Sequence, residues 1–331
     1  MVVELTVQRN ETLKAAYTTG TKRNMATQWD TYLEFCDIYH GSKVQATVES
    51  LSLFIQYVSN KVKSPGAVAN HVSGVKTMHI INELDTSIFD DYLIKMMVRG
   101  VNVVKKHVPR KAATITPDIL EKFFDLFDHT KADDCTYWAL FILAFFLLAR
   151  KSNLVPDTVL GFDCKKQLTR EDVVVTPDSL LVTLKWSKTN QVGQREIFPL
   201  LRNDGSKLCP VRAYNRMVAA CPAPNNSPTF LLKRYGKWGT VTYRQYQAKL
   251  KSCVLAIGLD AALYTSHSFR RGGATYAFQC GLPGSLIKKL GDWKSDAYLE
   301  YIDCPMEDRL RAGRRIRAKL NRDSRPGFDV Q

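Results

Sequence analysis

The sequence predicts a mainly α-helical protein with one small antiparallel β-sheet, confined to its second half. Three observations carry that expectation. Apolar residues recur at helical spacing through residues 22–107, with no strand-like alternation. A run of twelve apolar residues, Trp138 to Ala149, reads as a buried core helix. Between residues 172 and 200 the pattern changes to short β-branched and alternating stretches.

The elements follow in order. Residues 1–20 are polar and read as a loosely held N-terminus. Trp29, Tyr32, Leu33, Phe35 and Cys36 share one face of a first helix. Helices over Leu51–Val58, Ala67–Leu84 and Tyr92–Lys106 follow, the second of them announced by the breaker Ser64-Pro65-Gly66. Residues 21–107 therefore read as an all-helical domain. The stretch 108–116 is basic and aperiodic and reads as a linker. Thr116-Pro117-Asp118 then opens a new helix, with an N-cap and proline at the first position. The apolar helix is expected over Thr136–Arg150. Strands are expected over Asp172–Thr176, Leu180–Trp186 and Glu196–Leu200, with a turn at Ser187–Gln194 joining the last two. Helices return at about 210–220, 242–257, 268–280, 283–291 and 295–302. Residues 117–304 form this second domain. The tail 305–331 holds eight basic and three acidic residues between Pro305 and Arg325 and reads as a basic helix.

Length and composition bound the function. The chain has 331 residues, enough for two domains at about 100–200 residues each. Its 45% apolar content supports a buried core rather than disorder. The formal net charge of +15 favours a polyanionic partner, because lysine and arginine neutralise phosphates and release counterions. The N-terminal MVVELTVQRN lacks the pattern of a secretory signal. The twelve-residue apolar run falls short of the roughly 20 residues a membrane span needs. No membrane partner is expected. The eight cysteines show neither C-x-x-C pairing nor zinc spacing, so free thiols are expected and no metal or cofactor is called for.

The chemistry concentrates in TSHSFRRGGATYAFQCGLPGSLIKKLGDWKSDAYLEYID, residues 265–303. His267 and Arg270, three apart at a helix start, share a face and can address one phosphate. The planar guanidinium can hold two non-bridging oxygens. Histidine adds a donor, or a proton carrier near neutral pH. Gly272 and Gly273 follow, where a side chain would block close approach of a backbone.

This segment resembles the catalytic end of the tyrosine recombinase (phage integrase) family. That family shows a histidine–x–x–arginine pair, a histidine or tryptophan about two dozen residues on, and a tyrosine eight or nine further. Here Trp293 lies 23 after Arg270 and Tyr301 eight after Trp293. The wording GDWKSDAYLEYID looks most like the eukaryotic crypton and DIRS-like branch. The family's earlier arginine corresponds to Arg150 in LLARKSNLV, and its strand-turn lysine to Lys188, with Lys185 as an alternative. HVSGVKTMHIINEL and VRGVNVVKKHVPRKAATIT resemble the helical core-binding domain and its connector. Two departures stand out. Asn153 occupies the position, three after the first arginine, where the family usually has an acid. The gap of eight from Trp293 leaves Tyr298 as a competitor of Tyr301, and the two are expected to face similarly on one helix.

The resemblance implies a site-specific DNA recombinase: a helical core-binding domain that clamps DNA, plus an α+β catalytic domain. Tyr301 attacks a phosphate and forms a 3′-phosphotyrosyl bond. Arg150 and Arg270 stabilise the oxygens' charge, His267 and Trp293 donate further hydrogen bonds, and Lys188 protonates the leaving 5′-oxygen. Candidate phosphate contacts are Lys22, Arg23, Lys61, Lys63 and Lys76 in the first domain, and Lys105, Lys106, Arg110 and Lys111 along the connector. Double-stranded DNA is the expected partner, with a homotetramer on two sites. A eukaryotic mobile element would act in the nucleus, another in the cytoplasm. Two other readings remain open here: a type IB topoisomerase-like relaxing enzyme, and a non-catalytic DNA-binding derivative of a mobile element.

Overall fold

The computed structural model describes residues 2–108, 111–186, 195–234 and 236–323. The chain divides into two compact units, Met1–Arg110 and Lys111–Gln331. The described residues are mostly helical, with small antiparallel sheets in the second unit only. No helix among them is long and apolar enough to cross a membrane.

The first unit holds α1 (Val2–Ala15), α2 (Thr19–Tyr39), α3 (Val48–Lys61), α4 (Pro65–Ile81) and α5 (Tyr92–Lys105). Its sequence caps each of the last four. Thr18, Ser64 and Asp91 accept backbone N–H groups at the starts of α2, α4 and α5, and Thr47 with Ser50 forms a capping box on α3. The N-terminus differs from expectation: α1 is helical, although its described side chains are exposed. The core gathers Tyr32, Phe35, Leu51, Phe54, Val58, Val68, Val75 and Ile94. Gly74 lets α4 approach α2, since a Cβ there would meet the Gln28 side chain at 1.9 Å.

His79 is a polar residue fully buried in this core. Its Nδ1 donates to the Val75 carbonyl at 2.9 Å, and its Nε2 accepts the Ala46 N–H at 3.2 Å. Both ring nitrogens are therefore used by the neutral form. Burial lowers its pKa from 6.5, in agreement.

The second unit is organised around α7 (Ala132–Phe146), which follows α6 (Pro117–Leu126). Every residue from Cys135 to Phe145 is buried, so this helix is surrounded on all sides. It ends earlier than its apolar run suggests. Leu148 adopts a left-handed backbone, φ 47°, and stops the helix. Arg150 is consequently not a helix C-terminal cation; it precedes the short α8 (Lys151–Leu154), and its side chain makes no cap bond to that helix.

The sheet is β1 (Val173–Val175), β2 (Ser179–Leu184) and β3 (Glu196–Leu201), antiparallel in that order, with Ser179 opposite Leu201 and Leu184 opposite Glu196. Leu180, Val182, Phe198 and Leu200 point into the core. Next come α9 (Pro210–Ala220) and a hairpin of β4 (Leu231–Arg234) and β5 (Lys237–Thr240), which the sequence did not announce. Gly236, at φ 78°, makes its turn, but strands of four residues carrying Lys233, Arg234 and Lys237 show too little alternation to read.

The chain continues through α10 (Tyr243–Ala256), α11 (His267–Gln279), α12 (Gly284–Leu290), a 3₁₀ turn (Asp296–Glu300) and α13 (Met306–Asp323). The second half of the stretch read as a linker is built into this unit. Ala113 and Ile115 donate to the carbonyls of Leu263 and Ser268, and Ile115 is fully buried. Gly272 permits this: a Cβ there would lie 1.8 Å from the Ile115 oxygen. At Gly273 it would lie 2.3 Å from that of Phe145. These are the close backbone approaches that the glycine pair suggests. All eight cysteines are free thiols.

Candidate active site

The break after α7 and the start of α11 make the site. Because α7 ends at a left-handed residue, the Leu148 carbonyl turns away from helical bonding and accepts from Arg270 Nη1. Arg270 Nη2 donates to the Gly291 carbonyl at 2.7 Å. The guanidinium is thus held edge-on by two loops, and Arg270 is only 2% exposed. Its face lies 3.8 Å from the centre of the Trp293 ring. Gly291 makes room for that ring, since a Cβ at 291 would meet it at 1.6 Å.

Tyr301 completes the stack. Its ring centre is 5.3 Å from the Arg270 guanidinium, 5.2 Å from the Trp293 ring and 6.5 Å from His267. His267 is the first residue of α11 and open to solvent. Four sequence-predicted residues, His267, Arg270, Trp293 and Tyr301, therefore meet in one cluster.

Tyr298 has different surroundings from Tyr301, contrary to the expectation of a shared helix face. The segment is a 3₁₀ turn, and Tyr301 is the residue that caps its end. The Tyr298 hydroxyl lies against α12, where a Cβ on Gly284 would be 2.4 Å away, and its ring is 6.3 Å from Trp293.

Arg150 reaches the same loops from the other side. It donates to the Asp292 carboxylate and to the Asp292 carbonyl, each at 3.1 Å. Asp292 sits in a left-handed conformation, φ 51°, between Gly291 and Trp293. The acid beside Arg150 is therefore supplied by Asp292 rather than from position 153. Asn153 is buried and its amide donates to the Trp186 carbonyl, tying α8 to the end of β2.

The two lysines of the expected strand turn differ. Lys188 lies outside the described residues. Lys185 is paired with Asp172 at 2.6 Å, both nearly buried, and donates to the Thr169 hydroxyl at 3.4 Å.

Electrostatically the cluster is a cationic site. Burial, and then the charge of Arg150, push the Arg270 pKa down from 12.5 to about 9, so the group is still charged at neutral pH. Its Nε is buried without a partner among the described residues. His267 is also pushed down from 6.5, first by desolvation from the protein around it, then by Arg270, Lys151 and Arg150. It is therefore a neutral imidazole at pH 7. Two guanidiniums, a neutral imidazole and a phenol facing them suit an oxyanion of high charge density.

The outlying basic residues fare differently. Lys61 pairs with Glu34 at 2.8 Å, Lys76 with Asp90 at 2.7 Å, and Lys111 with Glu300 at 2.6 Å, all largely exposed contacts of small energetic weight. Lys105 donates to the carbonyls of Ser59 and Val62 at the end of α3, which is a helix-capping role. Lys22, Arg23, Lys63 and Lys106 are exposed. Arg110 lies outside the described residues. The sequence reading missed Asp292, and it missed Arg271, Thr275 and Asp303. The adjacent Arg270-Arg271 pair was the available signal, because successive helical residues point about 100° apart and address different neighbours.

No protein-family model matches the chain. An integrase/recombinase xerD homolog of Selenomonas ruminantium is 24% identical over 311 residues, covering 90% of this chain and 86% of that protein. Among solved structures, the Tn1549 transposon integrase in complex with circular intermediate DNA superposes with a TM-score of 0.52 at 16% identity, over 82% of this chain and 86% of that one. The XerH site-specific recombinase bound to its difH substrate gives 0.55 at 13% identity, over 86% and 76%. A lambda integrase dimer bound to a core site gives 0.56 at 16% identity, over 91% and 76%. These likenesses show a common fold.

Proposed function

We propose, from the premise that this chain is a site-specific tyrosine recombinase of the integrase class, that it cleaves and rejoins DNA through Tyr301. The observation that carries the choice of nucleophile is the Tyr301 ring held against Arg270 and beside His267. In the proposed reaction the Tyr301 oxygen attacks the scissile phosphorus and forms the phosphotyrosyl bond on its 3′ side. The bond to the 5′-oxygen breaks, and that oxygen leaves as a hydroxyl after taking a proton. Lys188 is the proposed donor of that proton. His267, its pKa lowered from 6.5, is the proposed acceptor of the phenol proton. Arg150 and Arg270 stabilise charge building on the non-bridging oxygens. Trp293 supplies the surface on which Arg270 rests. Rejoining reverses these steps, so no external energy source enters.

The finer assignments belong to the same reading. The motif GDWKSDAYLEYID supports a crypton- or DIRS-like element enzyme, one that mobilises or integrates a DNA segment, and such an enzyme would work in the nucleus. Exchange between two duplexes calls for four protomers. The basic faces of the helical unit and of α13 are proposed to track the phosphate backbone. A nicked suicide DNA substrate tests the core claim. It should trap a covalent adduct that is lost in Tyr301→Phe and kept in Tyr298→Phe. The reverse pattern would move the nucleophile to Tyr298. Plasmid relaxation without joining of two marked duplexes would instead mark a topoisomerase.

A further inference from the structure

Arg271 points about 100° around α11 from Arg270, and Thr275 lies one helical turn beyond Arg271. Arg271 is only 7% exposed. Its Nη1 donates to the Glu300 carbonyl at 2.6 Å, and its Nη2 donates to the Asp303 carboxylate. The Thr275 hydroxyl donates to the Tyr301 carbonyl at 3.3 Å and accepts the Asp303 N–H at 3.0 Å. Every one of these bonds lands on residues 300–303. That segment is the end of a 3₁₀ turn followed by coil, so few bonds of its own fix its path.

The geometry points to Arg271, Thr275 and Asp303 as positioning residues that fix the backbone of Tyr301 so that its phenol faces Arg270. This rests on the reading of Tyr301 as the nucleophile. One helix then does two things. His267 and Arg270 address the reacting oxygens, while Arg271 and Thr275 hold the attacking residue, and the register between them is set by the helix itself. That gives the consecutive arginines separate tasks. Asp303 belongs to the same clamp, because its carboxylate neutralises Arg271, whose charge would otherwise be buried unpaired. A phenol displaced by about 1 Å loses on the order of a hundredfold in rate, so such a clamp is worth having.

The test measures single-turnover cleavage of a suicide substrate by the full chain. DNA affinity, thermal unfolding and peptide mapping of the adduct are measured alongside. Arg271→Met should slow cleavage by about a hundredfold with DNA affinity unchanged. Thr275→Val should slow it by about tenfold, and Thr275→Ser, which keeps the hydroxyl, should restore it. In the slowed variants a growing share of adduct should map to Tyr298, an outcome a purely structural defect would not give. Wild-type rates in both Arg271→Met and Thr275→Val would overturn the assignment. So would a loss of rate that only follows a loss of folded protein, or a Thr275→Ser variant as slow as Thr275→Val. If the unsubstituted chain forms no adduct, the recombinase chemistry itself fails, and the clamp falls with it.

Discussion

Each unit buries a nitrogen base, His79 in the first and Arg270 in the second, and the two are treated in opposite ways. His79, in the helical unit, is neutral, and both of its ring nitrogens are satisfied. Its ring also packs edge-on against Phe89 at 5.1 Å and Trp29 at 5.7 Å. Arg270, in the second unit, stays charged, bonds only to neutral carbonyls at its Nη atoms, and has an unpartnered Nε. A satisfied neutral group in a core contributes to stability, whereas a charge without an adjacent counter-ion costs stability until an anion arrives. Under the proposed function, the difference separates a group that serves the fold from one that serves chemistry.

The comparison breaks or stands on paired substitutions. Arg270→Gln should lower adduct formation by about 10²–10³-fold, as expected for loss of one main oxyanion donor. Its unfolding free energy should change by under about 1 kcal/mol, because the amide can still donate to one carbonyl. His79→Ala should do the reverse. It removes a packed ring and two hydrogen bonds, at about 3 kcal/mol of stability, while cleavage by the remaining folded protein is unaffected. Denaturant titrations and suicide-substrate rates on both variants decide the matter. Equal destabilisation by the two would erase the distinction.

The same contrast governs what could be read from the sequence. The helical unit was legible because apolar residues repeat at helical spacing and Ser64-Pro65-Gly66 marks the start of α4, signals that are local in the sequence. The β2–β3 pair was legible for similar reasons. The limit of α7 was not, because the apolar run continues through Leu148, whose left-handed conformation goes with a contact to the distant Arg270. The β4–β5 hairpin was hidden by its charged, four-residue strands. In the candidate site, the spacing of His267, Arg270, Trp293 and Tyr301 was visible in one segment. The partner of Arg150 was not, since Asp292 lies 142 residues away and its ion pair depends on tertiary folding. Arg271 and Asp303 were passed over because a motif records which residues recur and says little about what holds them.

The pH response sharpens the comparison with a smaller effect. The folded pKa of His79 lies below its ordinary 6.5, so the unfolded chain takes up the proton first as pH falls. Its contribution is complete above about pH 6.5 and is lost below that value, at up to about 1.4 kcal/mol per pH unit. His129 and His267 are shifted the same way in the second unit, so the intact chain should show a composite loss. Urea titrations at pH 7.5 and 5.5 on the wild type and on His79→Gln isolate the His79 share. The two curves should diverge less at pH 5.5 than at pH 7.5. A constant separation would mean that His79 is not held neutral.

The smallest expected effect concerns the second arginine. Arg150 differs from Arg270 in having a carboxylate, Asp292, at 3.1 Å. In the absence of DNA that acid relieves the charge; near a phosphate it would compete for the same guanidinium. Asp292→Asn keeps an oxygen acceptor for Arg150 and removes the negative charge. DNA affinity should then rise several-fold at low ionic strength, and the slope of log K against log salt should steepen by less than about one unit, the share of a single phosphate contact. The gain should shrink at high salt, because screening weakens both the repulsion that was removed and the attraction that replaced it. Salt titrations of binding on the two proteins measure it. An unchanged slope would mean that the Asp292 charge is not felt at the phosphate, and that Arg150, like His79, is fully satisfied by its own fold.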